Sequence, residues 1–323
     1  MILAATLALA AALIGIITPR VLLALPQAAS PRLLMVGWLA SMAAFGFLLF
    51  SAAVVVAWPD HAPAEGLADL WIRCLSSAQH SMEPWVTQIA VGISAVSAAF
   101  ALGRITSIGR QQHRSRAKVR GYHDDILTVI ARTTRDPGSS YPVLWLDHPL
   151  PFAYSIAGNP GLVVATEGLN TCLTPTEAVA VLEHERAHLH GRHHRILAIS
   201  ALLSRTMPKV PLLARAPAVL AMLAELDADR VAARTTSPAI VHSALRRVLD
   251  QQDGGHTAHH FSHCAADVEA TNTRRLDVLA AHTFAPTRRL TYAAAAVLPI
   301  AGAALTATLT MTVLSALYCV VLT

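Results

Sequence analysis

The sequence predicts an α+β membrane protein: several membrane-spanning α-helices, with a mixed helix-and-strand domain inserted before the last of them. Three observations lead there. Of 323 residues, 54% are hydrophobic and 14% charged, and mean hydropathy is +0.47, too apolar for an ordinary water-soluble domain. The apolar residues gather into stretches near the length of about 20 that crosses a hydrocarbon core. Between residues 104 and 289 the pattern changes to short apolar runs broken by turn residues, followed by helical runs carrying histidines and carboxylates.

Residues 2–17 with their continuation past Arg20, 33–58 and 290–322 meet the span criterion, and 85–103 is the remaining candidate. That candidate contains Thr87, Gln88, Ser94 and Ser97, and also reads as a buried amphipathic helix. Trp58 and Trp85 flank the loop between the second and third spans, as interfacial aromatics do. The first segment lacks a basic leader and is followed by Pro19-Arg20, so it reads as a retained span rather than a cleaved signal. The chain therefore divides into a membrane region of three spans (1–103), an inserted domain (104–289) and a last transmembrane helix (290–323).

Basic residues set the orientation. Arg104, Arg110, Arg114, Arg116, Lys118 and Arg120 follow the third span, whereas the loop 59–84 carries Asp60, Glu65, Asp69 and Glu83 against Arg73 alone. Arg20 and Arg32 lie between the first two spans, and Arg288-Arg289 precede the last. The expectation is a multi-pass plasma-membrane protein with both termini outside and residues 104–289 in the cytoplasm. The basic run 104–120 has no interleaved aromatics and abuts a span, so the pI of 9.3 and net charge of +5 point to anionic lipid and not to nucleic acid.

Within the inserted domain, residues 142–146, 152–157 and 162–165 read as three strands, separated by His148-Pro149 and Gly158-Asn159-Pro160-Gly161. A helix follows. Thr174 is its N-cap, Pro175 its first residue, and Glu177 closes a capping box; the apolar run from Ala178 to Leu182 makes it a buried helix, ended near Gly191.

That helix carries His184-Glu185-Arg186-Ala187-His188, an HExxH pattern. Histidines four apart lie one above the other on a helix face, about 6 Å apart at Cβ, where both imidazoles reach one tetrahedral Zn²⁺. Glu185 between them is placed to take a proton from a water whose pKa zinc lowers to about 7, which is the chemistry of peptide-bond hydrolysis. A catalytic zinc needs a third protein ligand. The helix-compatible stretch Ala224-Glu225-Leu226-Asp227-Ala228-Asp229-Arg230 puts Glu225 and Asp229 on one face; Glu225 is assigned as that ligand, and Asp229 as acceptor of the outer ring N–H of a ligating histidine. The alternative is a solvated acidic patch capped by Arg230 and Arg234.

HExxH followed by a Glu-x-x-x-Asp helix resembles the gluzincin metallopeptidases. Residues 151–158, 161–166 and the His184-to-His194 run resemble more closely the BlaR1/MecR1-type membrane peptidases of family M56, over roughly 100–290, and more distantly the Ste24/HtpX-type proteases of family M48. The resemblance implies a gluzincin-like zinc metalloprotease domain with His184, His188 and Glu225 as ligands and Glu185 as base. It nominates Phe152, Ala153, Tyr154 and Ser155 as an edge strand that pairs with an extended substrate; the residues alone read equally as a core strand. It further implies a protein or peptide substrate, such as a cytoplasmic transcriptional repressor of antibiotic-resistance genes. BlaR1-type receptors carry a penicillin-binding sensor after the last span, and this sequence ends at Thr323, so direct β-lactam sensing is not expected. Membrane-protein quality control, as in HtpX-type proteases, and a catalytically inactive signalling scaffold are the alternatives.

Other polar residues are left open. Arg274, Arg275, Tyr154 or a loop histidine is the candidate for stabilising an oxyanion. His256, His259, His260, His263 and Cys264 fit no standard zinc spacing and read as a polar loop rather than a second metal site, and His190, His193 and His194 as helix-end residues. Cys172 and Cys264 share a reducing compartment in this topology, so no structural disulfide is expected.

Overall fold

In the computed structural model of the chain, the described residues are 2–24, 30–57, 96, 99, 103, 104, 106–111, 132–134, 141–158, 161–253 and 262–281. Helices α1 (Ile2–Ala24) and α2 (Pro31–Ala57) begin the chain, and both are long and apolar enough to cross a membrane. Leu9, Leu13, Ile16, Ile17 and Val21 form an exposed apolar stripe along α1, a face suited to lipid and costly in water. Pro19 does not end α1. It forfeits one backbone hydrogen bond, and the helix continues to Ala24 with Arg20 Nη1 donating to the Ile16 carbonyl at 2.9 Å. Of the third expected span only positions 96, 99 and 103 are described, all helical; the span at 290–322 lies outside the described residues.

Next in the described chain comes a four-stranded sheet: β1 (Arg132–Thr134), β2 (Val143–Leu146), β3 (Ala153–Ile156) and β4 (Leu162–Thr166), in the order β1-β2-β4-β3. The last three strands are those expected; β1 is an addition, a short polar segment that pairs antiparallel with β2. β2 and β4 are parallel, and β3 is antiparallel to β4 with Ala153 opposite Ala165 and Ser155 opposite Val163. Val143, Val163 and Ala165 fill the core beneath the sheet together with Leu169, Leu182 and Leu189 from the helices that follow.

A tight turn holds β3 in register at the sheet's edge. The Thr166 hydroxyl donates to the Leu150 carbonyl at 2.8 Å and accepts from Phe152 N–H at 3.1 Å, while Gly168 N–H donates to the His148 carbonyl at 2.9 Å. Any Cβ at Gly168 would collide with the backbone of Pro149, which is why glycine stands there.

Among the described residues six helices follow: α3 (Glu167–Cys172), α4 (Pro175–His190), α5 (His193–Thr206), α6 (Pro211–Thr235), α7 (Pro238–Asp253) and α8 (Ser262–Ala280). The expected capping box is present at α4: the Thr174 hydroxyl accepts from Glu177 N–H, and the Glu177 carboxylate accepts from Thr174 N–H at 2.9 Å. Glu177 also accepts from the Ser243 hydroxyl at 2.6 Å, tying α7 to the start of α4.

The two apolar helices share one core with α6. Leu7 and Ala11 of α1 and Trp38, Met42, Phe45 and Leu48 of α2 pack against Leu212, Leu213, Ala216, Leu220, Leu223 and Ala224 of α6. Buried Trp38 donates through Nε1 to the Leu212 carbonyl at 3.2 Å. The first half of α6 thus lies against α1 and α2, and its second half runs directly into the segment Glu225 to Asp229.

Candidate metal centre

Helix geometry brings His184 and His188 to one face of α4, and α6 packs across that face with Glu225 between them. The Nε2 atoms of His184 and His188 are 3.1 Å apart, Glu225 Oε2 is 3.3 Å from His184 Nε2, and Glu225 Oε1 is 3.4 Å from His188 Nε2. Donors arranged tetrahedrally around zinc at bond lengths of about 2.0–2.1 Å are separated by about 3.3–3.4 Å. The three separations therefore already have the size of one face of such a tetrahedron. Two imidazole lone pairs and a carboxylate facing one another require a cation or proton between them, so the donor set fits a zinc ion.

Charge around the site follows from burial and pairing. Asp229 is wholly buried; its Oδ1 lies 2.9 Å from His184 Nδ1, away from the straight N–H direction. Arg275 from α8 grips the same carboxylate with Nε and Nη2, both at 2.8 Å, and extends Nη1 to Glu225 Oε2 at 3.1 Å. Burial pushes the Asp229 carboxyl up, but Arg275 outweighs it and holds the group well below the usual carboxylate range. Burial lowers His184, and the Asp229 and Glu225 carboxylates overcome that and hold it raised. His188 is driven down, by burial first and then by the charge on His184. Of the two histidines, His184 is thus the one held toward its protonated form, beside the two carboxylates.

Glu185 opens onto a cavity of about 170 Å³ that also borders His184, Glu225 and Arg275. Burial raises its carboxyl, partly countered by His184 and by a hydrogen bond from the Ser155 side chain. The cavity also has an apolar lining, with Val181 of α4 and Val241, Leu245 and Val248 of α7.

Strand β3 borders this cavity through Ala153, and Phe152 just before the strand borders it too. Among the described residues it is bonded on one side only, to β4. Because the Phe152 carbonyl accepts from Thr166 N–H, the antiparallel alternation turns the main-chain groups of Ala153 and Ser155 to the open edge. Tyr154 lies on the face opposite Ser155, with its ring stacked 6.4 Å from Phe152. Of the oxyanion candidates, Arg275 enters the cavity and Arg274 is exposed on the surface. His256, His259 and His260 lie outside the described residues, as do the side chains of His263 and Cys264.

A further set, not expected from the sequence, lies behind His188. His193 is buried, and its Nδ1 lies 3.1 Å from His188 Nδ1; its Nε2 lies 3.4 Å from Asp227 Oδ2, which accepts from Arg32 Nε of α2 at 2.8 Å. The turn between α4 and α5 makes this approach feasible. Arg192 adopts φ 52°, left-handed for a non-glycine residue at a cost of roughly 1–2 kcal/mol. Gly191 leaves room for the His193 ring, since a Cβ there would lie 2.5 Å from Nε2. The spacing of five residues across a glycine was the available sequence signal for His193. Arg32 offered none beyond its topogenic charge. His190, by contrast, is exposed.

Comparison with known proteins agrees with the chemistry of the donor set. No solved structure matches the chain. Residues 120–245 match the model of peptidase family M48, the more distant of the two resemblances named above. The matched segment contains His184, Glu185, His188, Glu225 and Asp229, and leaves out Arg32 and Arg275. The chain thus carries, between 120 and 245, a segment similar to the M48 peptidases, which supports a hydrolase of the metalloprotease type.

Proposed function

We propose that this protein is a membrane-associated zinc metalloendopeptidase that cuts proteins at or near the bilayer. The observation that carries the reading is the triad of donor atoms on His184, His188 and Glu225, spaced 3.1–3.4 Å apart in the face of a zinc tetrahedron. Zinc held there supplies a Lewis acid that polarises a carbonyl and acidifies water. Glu185, on the same cavity, takes the proton from water and returns it to the leaving amine. The outward main-chain groups of Ala153 and Ser155 pair with an extended peptide, and the Val241–Leu245–Val248 wall receives an apolar side chain next to the cut. Arg275 keeps Glu225 and Asp229 in place and offers its remaining N–H groups to the cavity.

The M48 match and the packing of α6 against two apolar helices favour quality control of membrane proteins over cleavage of a repressor. In the proposed topology, read from the distribution of arginines, the catalytic domain faces the cytoplasm of a multi-pass plasma-membrane protein. Glu185→Gln tests the activity: the variant is expected to bind zinc as the native chain does and to lose cleavage by at least about 10²-fold, the lower range of general acid–base catalysis. Retained cleavage would end the reading. N-terminal proteomics of cells with native or Glu185→Gln protein separates substrates: many membrane fragments support quality control, one cut soluble regulator supports repressor cleavage.

A further inference from the structure

We propose that His193, Asp227 and Arg32 are positioning residues: they orient His188 for metal binding and make metal retention depend on the seating of α2. This rests on reading His184, His188 and Glu225 as a metal site.

A histidine that ligates through Nε2 must carry its proton on Nδ1, and an acceptor facing Nδ1 fixes that tautomer. For His184 the facing group is Asp229. Among the described residues His188 has no carboxylate at Nδ1; it has the Nδ1 of His193 at 3.1 Å. Two ring nitrogens at that distance need one donor and one acceptor. His193 faces the Asp227 carboxylate with its other nitrogen, so its proton sits on Nε2 and its Nδ1 accepts from His188. The His188 Nε2 lone pair is then left facing His184 and Glu225.

Asp227 is fixed in turn from outside the domain. Arg32, 195 residues away in sequence on α2, donates to the same oxygen that faces His193. The other oxygen, Oδ1, is buried without a hydrogen-bond partner among the described residues, so Oδ2 carries both ties and Arg32 restrains the rotation of the carboxylate. The left-handed Arg192 and the bare Gly191 turn the His193 ring back onto α4, which a simple helix break would not require.

The test uses the full chain in lipid nanodiscs and reads zinc affinity by competition with a chromogenic chelator, with the metal-free unfolding midpoint measured alongside. His193→Ala is expected to weaken zinc binding about 10- to 100-fold, the effect typical of an outer partner of a ligating histidine. Arg32→Gln, which alters only a partly exposed side chain, should weaken it several-fold and so keeps the test decisive even if His193→Ala fails to fold. Gly191→Ala should weaken binding in the native chain but add nothing to His193→Ala, since both act through one ring. Native zinc affinity in His193→Ala or in Arg32→Gln overturns the proposal, even where the unfolding midpoint falls, as does an additive Gly191→Ala effect. If the native chain itself takes up no zinc, the metal-site reading fails and this proposal falls with it.

Discussion

Arg275→Met isolates the charge balance at the site. Methionine keeps the apolar length of the arginine and removes the guanidinium, which makes two 2.8 Å bonds to Asp229 and one 3.1 Å contact to Glu225. Asp229 has no solvent exposure, so among the described residues the substitution leaves its carboxylate with His184 as its remaining ion-pair partner. Stranding one member of a buried ion pair costs about 3–5 kcal/mol. At about 1.4 kcal/mol per factor of ten, that is a fall of roughly 10²–10³ or more in the folding equilibrium. The metal-free chain in mild detergent, unfolded with denaturant and followed by tryptophan fluorescence, gives the number. Asp229→Asn combined with Arg275→Met removes the stranded charge and should recover most of the loss. A single-variant loss below about 1 kcal/mol, in the range of an exposed pair, refutes the reasoning. So does a double variant whose losses simply add.

Three further outcomes follow from the geometry. Burial pushes the Glu177 carboxyl up, but hydrogen bonds from Ser243 and Thr174, with Arg247 adding to them, hold it below its ordinary value. A depressed carboxyl stabilises the fold above its unfolded pKa of about 4.3 and loses that contribution as pH falls through the folded value. Glu177→Gln should thus unfold more easily than the native chain at pH 7 and converge with it in acid; a gap that stays constant across the titration would contradict this. Gly168→Ala forces backbone apart at Pro149 and should displace β3, read as faster limited proteolysis around residues 150–158; native-like protease resistance would show that the turn is compliant. Chelation of the purified native chain should abolish peptide cleavage, and stoichiometric zinc should restore it; activity that survives thorough chelation would exclude the metal mechanism.

Most of the metal-site helix was legible because its signals are local. Thr174, Pro175 and Glu177 state where α4 begins, and the four-residue spacing of His184 and His188 states which side chains share a face. Glu225 and Asp229 were readable for the same reason on α6, although only packing shows that Glu225 sits between the histidines and Asp229 behind one of them. The edge position of β3 came from resemblance, since four residues without polar alternation do not reveal which strand lacks a neighbour. β1 was missed because Arg132, Thr133 and Thr134 carry no apolar pattern and owe their strand to pairing with β2. Arg274 and Arg275 are indistinguishable in sequence, and the helical rotation of α8 alone sends the second into the cavity. Arg32 was assigned a topogenic role from its charge, while its bond to Asp227 depends on tertiary contact across most of the chain.

The core shared by α1, α2 and α6 argues against trimming this protein to a fragment that lacks its first two helices. A polypeptide starting at residue 104 would keep every donor at the centre yet bare Leu212, Leu213, Ala216, Leu220, Leu223 and Ala224 along the helix that delivers Glu225. It would also lack Trp38, which caps a carbonyl of that helix, and the arginine that holds Asp227. Such a fragment would self-associate through its uncovered flank before it could be assayed, so biochemistry on this protein has to begin with the anchor attached.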